Sequence, residues 1–244
     1  MTPPNVVLVI GSGKSLTPEY RELLRPLTRR HMTLVCNKTW VAFPWATSVA
    51  LDNTKFYRFN KDDRSLLSDP LLLAQRTLAW ERSSQTDGSL ILLPPCYKYE
   101  AANPYYPESR GFFSAGNTGS FALHIAAKLL DFDGAIIMAG FDGGTVNDYW
   151  YGKDEYGPCQ DFRRFTNDAP YFMYNGESKS FQLCNEIKTI QYFNCSPGSQ
   201  ISQPGLIQIN DIQWVKTRLA IEPTWPVSRQ KKYVRHILTP IMYR

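Results

Sequence analysis

The sequence predicts an α/β protein, a mostly parallel sheet with helices on both faces. Three observations carry that prediction. Short apolar runs such as Val6–Ile10 and Ala135–Ala139 hold no charge and are bounded by turn residues, which is how strands covered on both faces read. Phe121, Ile125 and Leu129 recur beside Ala122, Ala126 and Leu130, the stripe of a helix packed along one side. Successive strands end in polar loops, at Ser12, at Asn37, and at Asp52 and Asn53. A doubly wound sheet gathers such loops on its carboxyl edge, where ligands bind.

In chain order, Val6–Ile10 runs into Gly11-Ser12-Gly13-Lys14-Ser15-Leu16 and then Pro18-Glu19, a strand, a Gly-rich loop and a helix start. That layout suits a nucleotide held by backbone N–H groups, with a plain structural turn as the alternative. It matches neither common phosphate loop, because GxxxxGK[ST] would need glycine at Leu8 and GxGxxG would need it at Leu16. Glu19–Leu27 predicts a first helix halted near Pro26. Met32–Cys36 predicts a second strand, ending at Asn37-Lys38-Thr39-Trp40, and Ser48–Leu51 a third. From Asp62 to Arg82 the pattern reads as helical, interrupted at Pro70, which starts a helix carrying Leu73, Leu78 and Trp80. Ser89–Leu93 predicts a fourth strand, and residues 96–113 lack periodicity and read as a loop over the site.

Asn117 or Thr118 caps the next helix, and Asp133-Gly134 turns the chain into Ala135–Ala139. Asp142 follows that strand among Gly140, Gly143 and Gly144, a place for chemistry or for a solvated turn carboxylate. Beyond it, Tyr149, Trp150, Tyr151, Tyr156, Tyr171 and Tyr174 alternate with Lys153, Arg163 and Arg164. This predicts an aromatic-rich lid over about 145–176, able to stack a base or sugar and hold phosphate, or a small subdomain with its own aromatic packing. Glu177–Ile187 reads as helix and Thr189–Phe193 as the last clear strand.

The 27 Lys and Arg against 22 Asp and Glu leave a net charge of +5, which permits a polyanionic partner without demanding one. Five cysteines, odd in number and without a CxxC pair, predict free thiols in a reducing cytoplasm, and with histidines only at 31, 124 and 236 no metal cluster is expected. No run approaches the roughly 20 apolar residues of a membrane span, and Met1–Pro4 opens no signal peptide. The expected organisation is a nucleotide-binding domain over 1–215 and a basic amphipathic tail over 216–244. That tail carries Lys216, Arg218, Arg229, Lys231, Lys232, Arg235 and Arg244 among Val234, Ile237, Leu238, Ile241 and Met242. It suits docking on a membrane surface, on nucleic acid or, by default, on the protein's own core.

The order strand–GSGKSL, strand–CNKTW, strand–DN, NTGSFALHIAAKLL–strand–AGFD and strand–NCSPGS resembles the bacterial sialyltransferases of glycosyltransferase family 42. It also resembles the related domain of unknown function 115 and the MptE-like hydroxymethylpterin pyrophosphokinases. The resemblance covers about 5–60 and 110–205 and implies a Rossmann-like domain with a lid. It also implies a nucleotide contact at Gly11, Ser12, Gly13, Asn37, Thr118 and Gly119, with Lys14 standing where relatives usually carry Pro. Asp52, Asn53 and Asn117 join that list as strand-end and helix-start residues. Tyr149, Tyr151, Arg163 and Arg164 are the implied phosphate holders.

Where the family places a catalytic His before a Ser-Lys pair, this chain has Glu177 before Ser178-Lys179, and Arg110 is the nearest substitute for the family's phosphate-binding Arg. A carboxylate base disfavours an acidic sugar donor, because like charges repel. The implied function is therefore an inverting, metal-independent glycosyltransferase using Glu177 as base, with Asp142 as the next candidate and no cofactor beyond the nucleotide-sugar donor. The acceptor would be DNA with a hydroxylated base, as in phage-type modification, or a glycan. The alternatives are a pyrophosphokinase, with Mg²⁺ held by Asp52 and Asp142, and a nucleotide- or nucleic-acid-binding module without catalysis.

Overall fold

Val6–Ile10 forms strand β1, and all its side chains are buried, as an uncharged Val/Leu/Ile run requires once both faces are covered. The structure, a computed structural model, describes residues 1–51, 71–75, 90–93, 96–97, 112–113, 118–142, 149–151, 190–201 and 205–238. After β1 comes helix α1, Pro18–Leu24, with proline at its start and the Thr17 hydroxyl accepting from the Tyr20 N–H at 3.3 Å. It ends sooner than the sequence pattern suggests: Pro26 has no N–H to carry the helix on, and Leu27–Arg29 forms a single 3-10 turn.

Strands β2 (Thr33–Cys36), β3 (Ser48–Leu51), β4 (Leu71–Gln75) and β5 (Leu90–Leu93) follow, with a 3-10 turn Asn37–Val41 after β2. Cys96–Tyr97 (β6) and Phe112–Phe113 (β7) pair in parallel as a separate two-stranded ribbon. Helix α2 is Thr118–Leu129, β8 is Gly134–Ala139, β9 is Ile190–Asn194 and β10 is Leu206–Gln208. Two helices close the described chain, α3 (Ile212–Ala220) and α4 (Val227–Leu238).

The main sheet has eight strands in the order β10-β9-β8-β1-β2-β3-β4-β5, and every neighbouring pair is parallel. The α/β expectation thus holds. From β1 the chain adds strands outward on one side to β5, then returns to the other side at β8, so the order reverses beside β1. Alternate side chains of β1 serve the two layers. Val7 and Val9 join the cluster made with α2 and α4, while Val6, Leu8 and Ile10 join the cluster made with α1 and α3.

Three expectations need correction, and a fourth is narrowed to one of its alternatives. Residues 71–75 form a strand, not the start of a helix. Leu71-Leu72-Leu73 is apolar at every position and fits either period, and parallel pairing of Ser48–Leu51 with Leu71–Ala74 decides it. Residues 96–113 are not wholly a loop, since β6 and β7 pair. The strand at 190–194 is not the last, because β10 adds an edge. The tail takes its default place on the protein's own core: Val215, Leu219, Tyr233, Val234 and Leu238 are buried in the two core clusters, and α3 spans residues 215 and 216. The helix expected at 177–187, and all of the lid except 149–151, lie outside the described residues.

The turn from α2 to β8 shows why a glycine stands at 134. Asp131 and Phe132 adopt positive φ, and Gly134 follows at φ 133°, where an added Cβ would meet the Asn5 carbonyl oxygen at 2.6 Å. Among the described residues no helix is long and apolar enough to cross a membrane.

Candidate functional site

The carboxyl ends of β1, β2 and β8 bring the Gly-rich loop, the Asn37 turn and the Asp142 loop together. The β1–β8 ladder continues past the strands: the Gly11 N–H donates to the Ala139 carbonyl at 2.8 Å and the Gly13 N–H to that of Gly140 at 2.9 Å. Asp142 then closes the loop. One carboxylate oxygen accepts from the Ser15 N–H at 2.9 Å, and the other accepts from the Ser15 hydroxyl. A Cβ at Gly13 would lie 2.5 Å from that carboxylate. Glycine stands there because Asp142 packs against its α-carbon.

This arrangement changes what the loop can offer. The N–H groups of Gly11, Gly13, Ser15, Leu16 and Thr17 are all spent within the protein. The open backbone nest that the Gly-rich sequence suggests is therefore largely filled, and its filler is Asp142. In open α/β sheets the crevice at the strand-order reversal is the usual ligand place. Here the reversal between β1 and β8 is stitched by loop-to-loop hydrogen bonds.

The loop after β9 supports the same stitch. The Phe141 N–H donates to the Ser196 hydroxyl at 2.7 Å, and the Phe141 carbonyl accepts from the Ser199 hydroxyl at 2.7 Å and the Asn194 side-chain amide at 3.2 Å. The Gln200 N–H donates to the Asp142 carbonyl at 2.7 Å. The polar NCSPGS stretch, which reads like a ligand loop, is thus occupied in holding residues 141–142. Below it the Tyr20 hydroxyl donates to the Cys195 carbonyl at 2.7 Å, and burial raises the tyrosine's pKa.

On the other side of β1 the turn after β2 meets α2. Asn37 sits at φ 47°, the left-handed region that asparagine tolerates best among residues with a side chain. Its side-chain amide donates to the Thr118 hydroxyl, the first residue of α2, at 3.1 Å. This joins the β2 turn to a helix N-terminus, whose first N–H groups have no partner within the helix. Gly119 lies one position on. Cys36 is buried beneath this junction, and desolvation pushes its thiol up to about 12, so it is inert at neutral pH.

Tyr149-Trp150-Tyr151 straps across the Gly-rich loop. Tyr149 makes an antiparallel bridge to Gly13, and the Trp150 N–H donates to the Ser12 carbonyl at 3.0 Å. Thr39 is the hub beneath. Its hydroxyl donates to the Gly11 carbonyl at 3.0 Å, lies 2.8 Å from the Ser12 hydroxyl, and accepts from the Trp150 indole N–H at 3.3 Å. Tyr149 and Tyr151 stack with centroids 4.8 Å apart. Lys38 lies 5.2 Å from the Tyr151 ring centroid and the Arg21 guanidinium 4.4 Å from that of Trp150, placing a cation on each flank of the strap.

Of the residues singled out in the sequence, Gly11, Ser12, Gly13, Asn37, Thr118, Gly119, Asp142, Tyr149 and Tyr151 lie around this edge, and Lys14 stands exposed on the Gly-rich loop. Asp52, Asn53, Asn117, Arg110, Arg163, Arg164 and Glu177 lie outside the described residues. Sequence reasoning passes over Arg21, and it reaches Lys38, Thr39 and Trp150 only as members of the NKTW turn and the aromatic segment, without a role for each. Among the described residues no group of three or more His, Cys, Asp and Glu side chains comes together, and both Asp142 oxygens are taken by Ser15.

No protein-family model matches the chain, and no curated protein matches it. Among solved structures it is similar to the structure of MAf glycosyltransferase from Magnetospirillum magneticum AMB-1, with a TM-score of 0.52 at 14% identity. That match covers 98% of this chain and 40% of the other, so the chain spans well under half the length of that protein. At this identity the likeness is one of fold: the Rossmann-like parallel sheet described here also underlies a glycosyltransferase.

Proposed function

We propose that the chain is a glycosyltransferase that takes a nucleotide sugar and inverts the anomeric centre without a metal. The observation that carries the reading is the Asn37–Thr118 contact beside the Gly-rich loop. It gathers the nucleotide-contact residues expected from the glycosyltransferase resemblance at one carboxyl edge. The fold likeness to a glycosyltransferase supports it. The donor lies over the β1–β2 side, with Asn37, Thr118 and Gly119 on the nucleotide and the Gly-rich loop as a shaped floor. Tyr149, Tyr151, Lys38, Arg163 and Arg164 stabilise the leaving phosphate. Glu177 takes the proton from the acceptor hydroxyl.

A carboxylate base favours a neutral or amino sugar over an acidic one. The acceptor is a hydroxylated DNA base or a glycan. In the competing reading Mg²⁺ sits between Asp52 and Asp142, and Asp142 would then have to release Ser15, which makes that reading the weaker of the two.

Glu177→Gln tests the mechanism. Gln keeps the shape and most hydrogen bonding but accepts no proton, so turnover should fall by about 10²- to 10⁴-fold while donor affinity stays within a few-fold. The acidic limb of the wild-type pH–rate profile should vanish in the variant. Normal turnover in Glu177→Gln would remove Glu177 as the base.

A further inference from the structure

We infer that the side of α1 carries a second subsite, one that binds an oxyanion and adjoins the strand-edge site through Arg21 and Trp150. Arg21 and Glu22 of α1, with Arg25 just past its end, look across a cleft of about 250 Å³ at Val41, Ala42 and Trp150. The cleft is built rather than incidental. Trp150, at one end, is fixed through both its backbone N–H, to Ser12, and its indole N–H, to Thr39. Arg25 bridges toward the far wall, its Nε–H donating to the Ala42 carbonyl at 3.3 Å, and pairs with Glu22 at 2.5 Å.

The chemistry of the lining selects the ligand. Each guanidinium offers about five N–H donors. Arg25 spends donors on Ala42 and Glu22, and Arg21 lies over the Trp150 ring, a contact that uses its charge and leaves its donors for other acceptors. Among the described residues the one carboxylate lining the cleft, Glu22, is already on Arg25. Glu19, whose charge reaches Arg21, is fully exposed. Two cations against one anion, over an apolar floor of Val41 and Ala42, make a donor-rich, positive cleft.

A phosphate or carboxylate group satisfies those donors, and the planar fork of arginine matches its oxygens. The cleft runs along α1 from beneath the strap, beside the edge where the donor is proposed to lie. If the chain does transfer a sugar, the subsite would hold an acidic group of the acceptor. The subsite itself stands without that reading.

The test is direct binding of inorganic phosphate to the whole chain, followed by ³¹P NMR titration at constant ionic strength, with glucose as the neutral control. Saturable phosphate binding should appear, excess glucose should not displace it, and Arg21→Gln should weaken phosphate at least tenfold. Val41→Glu, which sets a carboxylate against the two guanidiniums, should abolish the binding with the far-UV circular dichroism unchanged, and this keeps the test decisive if Arg21→Gln folds poorly.

Repeating the titration with glucose 1-phosphate and with a short single-stranded oligonucleotide distinguishes a phosphomonoester source from a phosphodiester one. Either, if sensitive to Arg21, supports the subsite. Phosphate affinity unchanged in both variants, or displacement of the bound phosphate by excess glucose, would overturn it. No nucleotide sugar enters these titrations, so a failure of glycosyl transfer would not alter their outcome.

Discussion

At Gly13 an added methyl group would lie 2.5 Å from the Asp142 carboxylate, and that carboxylate is what satisfies the buried Ser15 N–H and hydroxyl. Gly13→Ala should therefore push Asp142 away and leave Ser15 with unmade bonds, a loss of about 1–3 kcal/mol. Asp142→Ala should cost a similar amount. In the double variant the two losses should not add, because the clash disappears along with the carboxylate. Urea unfolding of the four proteins checks this, and strict additivity would show that the Gly-rich loop does not rest on Asp142.

A second residue-scale prediction concerns His124, wholly buried on α2, where desolvation and then the nearby Lys128 charge push its imidazole down to about 3. Its folded pKa lies below its unfolded one, so below about pH 6.5 the unfolded chain takes up a proton that the folded chain refuses. The contribution is intact above that pH and drains away as pH falls toward the folded pKa, by about 1.4 kcal/mol per pH unit. Buried His31, shifted the same way by desolvation, adds to the slope. Unfolding free energies measured at about pH 7 and about pH 5 should differ by about 2 kcal/mol from His124 alone, and His124→Gln should flatten that difference.

At this scale sequence alone locates Asp142 but not its partner. Ser15 lies 127 positions away, and nothing in either neighbourhood announces the pairing. Asn37 and Thr118 are legible because each follows or opens an element whose pattern is clear.

Among the elements, α4 shows how a sequence pattern can be right about shape and silent about role. Its buried side, Gln230, Tyr233, Val234 and Leu238, and its basic outer side, Arg229, Lys232, Arg235 and His236, form the amphipathic helix that the tail suggests. What covers the buried side comes from distant chain. The Tyr233 hydroxyl donates to the Leu129 carbonyl at 2.9 Å, and the Gln230 side chain donates to the Trp225 carbonyl at 2.7 Å and accepts from the Thr47 hydroxyl.

Truncation after residue 226 would strip the sheet face of Tyr233, Val234 and Leu238, and loss of each large buried side chain costs about 2–5 kcal/mol. The shortened chain should therefore lose its cooperative thermal transition. A sharp transition near the wild-type temperature would mean that α4 is not part of the core. β4 carries the converse lesson: its leucines fit both helix and strand, and only the partner strand, absent from any local window, resolves them.

For the whole molecule, the sheet order explains both the resemblance and its twist. Reversal beside β1 marks the ordinary ligand crevice of such sheets, and here Asp142, Ser15 and the loop after β9 occupy it. The proposed binding place is therefore the β1–β2 side, by the aromatic strap and beside the α2 N-terminus. That displacement cannot be read from the Gly-rich loop, whose sequence looks the same whether its N–H groups face a phosphate or a neighbouring strand.

Sugar transfer from a nucleotide donor without a metal can be tested by incubating the protein with a panel of nucleotide sugars. Hydroxymethylated DNA and simple glycans serve as acceptors, and released nucleotide is followed with and without EDTA. Nucleotide release is expected with one donor, stimulated by one class of acceptor and unchanged by EDTA, with a product of inverted anomeric configuration. Release that EDTA abolishes would point to the pyrophosphokinase chemistry instead, and a nucleotide that raises the melting temperature while no donor turns over would contradict catalysis by this chain.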